Sequence, residues 1–149
     1  MKRRIALMNM TWIVAASVLL AKDPVEPVNR DKGSIAIKGY DPVAFYEQSK
    51  PMKGSPEFTH EWNGATWRFG SAKTRDLFMM DPEKYAPQYG GYCAWAVSNN
   101  YTADIDPEAW KIMDGKLYLN YSKDVQKKWE PEAQKRIADA DRNWPGLHK

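Results

Sequence analysis

Cysteine is nearly absent from these 149 residues, with Cys93 the only one. A lone thiol forms no internal disulfide, so oxidation does not hold this fold together. Histidine is scarce as well: His60 and His148 are the only two. No glycine-rich phosphate loop, no pair of histidines at helical spacing and no G-x-S-x-G elbow occurs, which removes the local signatures of nucleotide hydrolysis, zinc proteolysis and serine hydrolysis. No apolar run reaches the ~20 residues that a membrane-spanning helix needs.

What the chain does have begins with a polarised N-terminus. Lys2, Arg3 and Arg4 form a basic head, Ile5 to Leu20 is mostly apolar, and Ala21 could precede a cleavage point. Residues 1–21 therefore read as an export signal or, uncleaved, as an N-terminal anchor, and the expected location is periplasmic or secreted. The Arg3-Arg4 pair also raises twin-arginine export. The whole chain carries 22 Lys+Arg against 19 Asp+Glu. Lys2, Arg3 and Arg4 are the only charges in the first 21 residues, so the remainder is balanced at 19 of each sign. No basic stripe survives, and nucleic acid is not an expected partner.

Residues 22–34 (KDPVEPVNRDKGS) have the proline, glycine and charge of a linker. The domain proper is expected over 35–147. Ile35-Ala36-Ile37 alternates toward a short strand, and Asp41-Pro42 suits a helix N-cap followed by a first helical residue whose missing N–H costs nothing. Asn63-Gly64 and Asp114-Gly115 are hairpin turns. They lie 51 residues apart, as do Ser71 and Ser122, and Phe78 and Trp129. Asp41-Pro42-Val43-Ala44-Phe45 also parallels Asp106-Pro107-Glu108-Ala109-Trp110. The expectation is a single small α+β domain of two β-hairpin-plus-helix units, the second over 105–144 and opening with a helix at Pro107. Strand alternation puts Trp67 and Phe69 on one core-facing side. Val125 and Trp129, then Ile137, Ala140 and Trp144, form helical stripes. Most of the aromatic rings thus fall at structural periods and read as core.

The block from Glu57 to Cys93 resembles the YHS domain, a small α+β module often found in bacterial metal-handling proteins. The resemblance covers roughly 38–97 and rests on Asp41-Pro42-Val43, Asn63-Gly64, Phe69, Ser71, Phe78, Pro82 and Tyr85. Metal-binding members of that wider group carry cysteines where this chain has Ala44, Gly70 and Thr74. The resemblance implies an α+β fold, no known activity for free-standing members, and a possible transition metal.

The side chains able to carry chemistry are few. Cys93 follows the Gly90-Gly91 pair in an aromatic stretch, and reads either as a buried small hydrophobe or as a ligand. His60 opens the first hairpin beside Glu61, as a sheet residue or an imidazole ligand. Met79, Met80 or Tyr92 could add a third donor, although a methionine there more often fills a core gap. His148 lies near a fraying C-terminus. Sulfur and imidazole together favour copper, so the leading expectation is an exported, non-enzymatic protein that binds copper through Cys93 and His60. The alternative is a metal-free accessory or protein-interaction domain that has lost the family's ligands, with a protein partner or self-association. Thiol catalysis, with Glu61 or Asp104 orienting His60, lacks both a hydrolase signature and a resolving cysteine.

Overall fold

Two glycine-turned hairpins organise residues 23–149, the part of the chain that the computed structural model describes. The expected signal or anchor at 1–21 lies outside the described residues, among which no helix is long and apolar enough to cross a membrane. The first unit runs through a 3-10 turn (Ile37–Gly39), α1 (Ala44–Glu47), β1 (Ser55–Trp62), β2 (Ala65–Phe69), α2 (Ala72–Met80) and α3 (Pro82–Tyr85). The second runs through a 3-10 turn (Gln88–Gly91), α4 (Ala94–Ser98), β3 (Asp106–Met113), β4 (Lys116–Asn120), α5 (Lys123–Trp129) and α6 (Ala133–Asn143). The molecule is a small α+β domain with two separate antiparallel pairs, β1-β2 and β3-β4.

The two units coincide at an offset of 51 residues. Both strands of each hairpin begin and end in step, and the β-bulge between Ser55 and Thr59 recurs between Asp106 and Trp110. Each turn takes positive φ at both central residues: 52° and 81° at Asn63-Gly64, 51° and 74° at Asp114-Gly115. That geometry matches the right-handed twist of the flanking strands. Ser71 caps α2 by accepting the Thr74 N–H at 3.2 Å, and Ser122 caps α5 by accepting the Val125 N–H at 3.1 Å. Pro131 divides α5 from α6 through a short 3-10 turn.

The alignment within the second unit differs from the sequence expectation. Asp106-Pro107-Glu108 opens strand β3 rather than a helix, and its structural counterpart is Ser55-Pro56-Glu57. Proline is tolerated there because the first residues of a strand, just before a bulge, have a ladder N–H to spare. The helix that answers α1 is α4, immediately after Cys93, so the second unit starts near Gln88 rather than at 105. Ile35-Ala36-Ile37 forms only isolated bridges to Arg30 and Thr66, because Ile37 and Lys38 turn left-handed at φ 39° and 58°.

Residues 23–34 have a linker's composition but lie on the domain. Val28 is buried, the Asn29 N–H donates to Gly90 O at 2.8 Å, and Val25 pairs with the C-terminal residues. His148 is accordingly held rather than frayed: it bridges to Val25 and stacks on Trp144 with ring centroids 4.3 Å apart.

The core falls into two clusters, the larger of them shared by both units. Trp67 and Phe69 are fully buried, as the alternation required, and pack with Phe45 and Phe78 against Leu117, Leu119 and Cys93. Strand β4 divides this cluster from a second one. Leu117 and Leu119 face the first, while Tyr118 joins Trp129, Tyr89 and Ala140 in the other. Burying four large rings at ~1.5–3 kcal/mol each supplies a main part of the drive to fold.

Candidate functional site

The three positions where the resemblance would place cysteines converge on a single carboxylate. Asp41 is 2% exposed. Its Oδ1 accepts the N–H of Val43 at 2.9 Å and of Ala44 at 3.3 Å, at the start of α1. Its Oδ2 accepts the Gly70 N–H at 2.9 Å and the Thr74 hydroxyl at 2.7 Å. A single side chain thus fastens the start of α1, the end of β2 and the first turn of α2. Charge-assisted bonds of this kind are among the stronger ones. The three backbone N–H groups have no other acceptor among the described residues, while the Thr74 hydroxyl also reaches Ser71 O at 3.3 Å.

Cys93 occupies the matching place in the second unit. It precedes α4 as Asp41 precedes α1, and its sulfur accepts the backbone N–H of Tyr121 at 3.2 Å. Tyr121 is the residue 51 positions after Gly70. The Cys93 S–H in turn points to Asn120 Oδ1 at 3.6 Å, and the same oxygen accepts the Trp95 N–H at 3.0 Å. Cys93 is 1% exposed. Burial pushes its thiol pKa up, against the backbone N–H groups of Ala96, Tyr121 and Trp95 that pull it down. A buried thiol held in its protonated form is a poor nucleophile and a poor ligand.

His60 has different partners. It pairs across the hairpin with Trp67, is half-buried, and meets Phe78 edge-on with ring centroids 6.3 Å apart. No hydrogen bond or ring contact joins it to Cys93, and the bonding partners of the two share no residue. Among the described residues no group of three or more His, Cys, Asp and Glu gathers to hold a metal ion. Met79 and Met80 do not fill a core gap: they are 49% and 84% exposed at the end of α2. The Tyr92 hydroxyl donates to Glu26 O at 3.1 Å. Glu61 is exposed. Asp104 faces Asn29 and Lys38, and although burial pushes its carboxyl up, Asn29, the Ile105 N–H and Lys38 hold it below the usual range. Neither acid orients His60.

Sequence reasoning saw Asp41 only as a helix cap and missed Asn120 altogether. The offset of 51 carried the signal for the first, since it pairs Gly70 with Tyr121 and so points from one clasp to the other. The fold and these clasps define an α+β hairpin-duplex domain closed by Asp41 in the first unit and by Cys93 with Asn120 in the second. No family model, curated protein or solved structure matches this chain.

Proposed function

We propose that the protein is an exported, non-enzymatic YHS-type domain that works as a metal-free accessory or protein-interaction module. The observation that carries this reading is the role of Asp41: its carboxylate bonds the residues at all three positions where metal-binding members of the resembling group carry cysteine. What thiolates and a metal would do there, tying a helix start to a hairpin end, this chain does with hydrogen bonds. Cys93 supports the same reading, because its sulfur is spent on the equivalent tie in the second unit. Copper through Cys93 and His60 finds no comparable support, since each side chain has its own structural partners.

Metal analysis of the protein purified from its export compartment is the test. The expected result is no stoichiometric copper, an unchanged melting temperature on chelation, and a lowered melting temperature in Cys93→Ala without any metal added. Near-stoichiometric copper that Cys93→Ser abolishes and His60→Ala weakens would overturn the proposal.

A further inference from the structure

Two large rings sit at the edge of the core, Trp62 packed on Trp67 and Phe78 at 6.0 and 5.7 Å between centroids and Trp144 packed on the second cluster. Trp62, at the end of β1, and Trp144, after α6, are half-buried, and both line a cleft at the seam between the units. Its volume is about 580 Å³, within the ~300–1,000 Å³ usual for small-molecule sites. A smaller hollow of about 100 Å³ beside it shares both tryptophans and reaches His148. The repeat does not require these two rings. The residue 51 positions after Trp62 is Met113, and Trp144 lies in the C-terminal extension that the first unit lacks. Trp144 is held by other rings, stacked by His148 and flanked by Tyr89 and Tyr92 at 6.2 and 5.8 Å between centroids.

The polar lining narrows the ligand. Asp141 is held by the Tyr89 hydroxyl, which donates to its Oδ1 at 2.9 Å. Glu83 adds a second carboxylate, Lys116 an ammonium and Gln88 an amide. Two carboxylates oppose an anion, and Lys116 opposes a cation. Glu83, Lys116 and Asp141 are exposed and Gln88 half-buried, so the rim offers hydrated hydrogen-bonding groups beside the two rings, which a purely apolar ligand would leave unused. The class that suits both walls and rim is an uncharged ring with apolar C–H faces and several hydroxyls, each able to donate and accept. We propose that the seam cleft binds a neutral sugar, with its rings set against Trp62 and Trp144 and its hydroxyls on Asp141, Glu83, Gln88 and Lys116. The site is separate from the clasps at Asp41 and Cys93, so its fate and that of the metal-free reading are read by different experiments.

Cellobiose and N,N′-diacetylchitobiose are the probes, titrated into the full chain and followed by calorimetry and by backbone amide shifts. The expected result is saturable binding of at least one, with a Kd of roughly millimolar or tighter, and shifts centred on Trp62, Tyr89, Lys116 and Trp144. Trp144→Ala should weaken binding about tenfold or more, as loss of an aromatic anchor does, and Trp144→Phe should retain most of it. Since Trp144→Ala also unseats His148, its melting temperature is taken beside Trp144→Phe, and the amide map of the unmutated chain stands independently of both. The proposal is overturned if neither disaccharide saturates, if the shifts fall outside the cleft, if Trp144→Ala binds as the unmutated chain does, or if tetramethylammonium occupies the cleft in preference to both sugars.

Discussion

The backbone N–H of Tyr121 ends on the sulfur of Cys93 at 3.2 Å. In the other half of the molecule the N–H of Gly70 ends on the carboxylate of Asp41 at 2.9 Å. The two donors are 51 residues apart and the two acceptors 52, each acceptor standing just before a short helix. In both halves buried polar groups tie the helix start to the end of the second hairpin strand, but Asp41 does so alone, whereas Cys93 takes the strand-end N–H of Tyr121 and Asn120 the helix N–H of Trp95. The only cysteine therefore takes part in a structural tie.

Cys93→Ala removes the acceptor for Tyr121 N–H and the donor to Asn120. Urea unfolding should show a loss of about 1–3 kcal/mol, the usual cost of a buried group left unpaired. Cys93→Ser keeps an acceptor and should lose less. In the native protein the thiol should react with a thiol reagent only as fast as the domain opens. Rapid, stoichiometric labelling of the folded protein would show that the sulfur is accessible after all.

Asp41→Ala strands three backbone N–H groups together, the Thr74 hydroxyl keeping Ser71 O as an acceptor, and should cost about 3 kcal/mol or more, among the largest effects of any single change here. Asp41→Asn retains one acceptor oxygen but aims an amide at groups that donate, so it should fall between. Denaturant midpoints at constant m-value would read both. Near-equal stability of Asp41→Ala and the unmutated chain would remove the clasp from the account of this fold.

Alkaline pH should unfold the protein through its tyrosines. Burial pushes Tyr46 and Tyr118 from 10.0 up to about 12. Tyr89 is raised further, by burial and by the hydrogen bond to Asp141, and Tyr92 is raised by burial. For an acid raised in the folded state, the unfolded chain loses its proton first. The stabilisation is thus whole below pH 10 and is lost as pH climbs toward 12. Tyrosinate absorbance should rise together with loss of circular dichroism in that window, and Tyr46→Phe should reduce the steepness. Titration of Tyr46 and Tyr118 near pH 10 in a folded protein would contradict this.

Gly90→Ala tests the close approach of the N-terminal segment. A Cβ there would lie 1.9 Å from Pro27 O, at φ 62°. Relieving that overlap must displace Val28 or the turn, so a loss of about 2 kcal/mol or more is expected. Gly64 also has positive φ but meets nothing within 4 Å, and Gly64→Ala should cost only about 1 kcal/mol. Parallel thermal melts would rank the two.

What the sequence made legible was local. Asn63-Gly64 and Asp114-Gly115 named their turns because few other pairs accept two positive φ values, and Ser71 and Ser122 named their helices because a serine hydroxyl satisfies a free N–H. Trp67 and Phe69 were readable from period two alone. Asp106-Pro107 misled because the same dipeptide suits a helix start and a strand start, and only the bulge after it decides. The linker composition of 23–34 concealed Val28, since two valines among charges and prolines give no periodicity. The pairing of Cys93 with Asn120 and Tyr121, 27 and 28 positions later, had no local trace, because it depends on how β4 is laid into the core.

One further consequence concerns where this protein can be joined to anything else. Val25 donates its N–H to Leu147 O at 2.9 Å, Lys149 donates to Val25 O at 2.9 Å, and the Lys149 ammonium meets the Glu26 carboxylate at 2.8 Å. The two ends of the described chain leave side by side. A partner joined directly at residue 23 or 149 would emerge from one pole, and closing those two points with a short peptide would leave the hairpins in place while allowing new termini at Gly64 or Gly115.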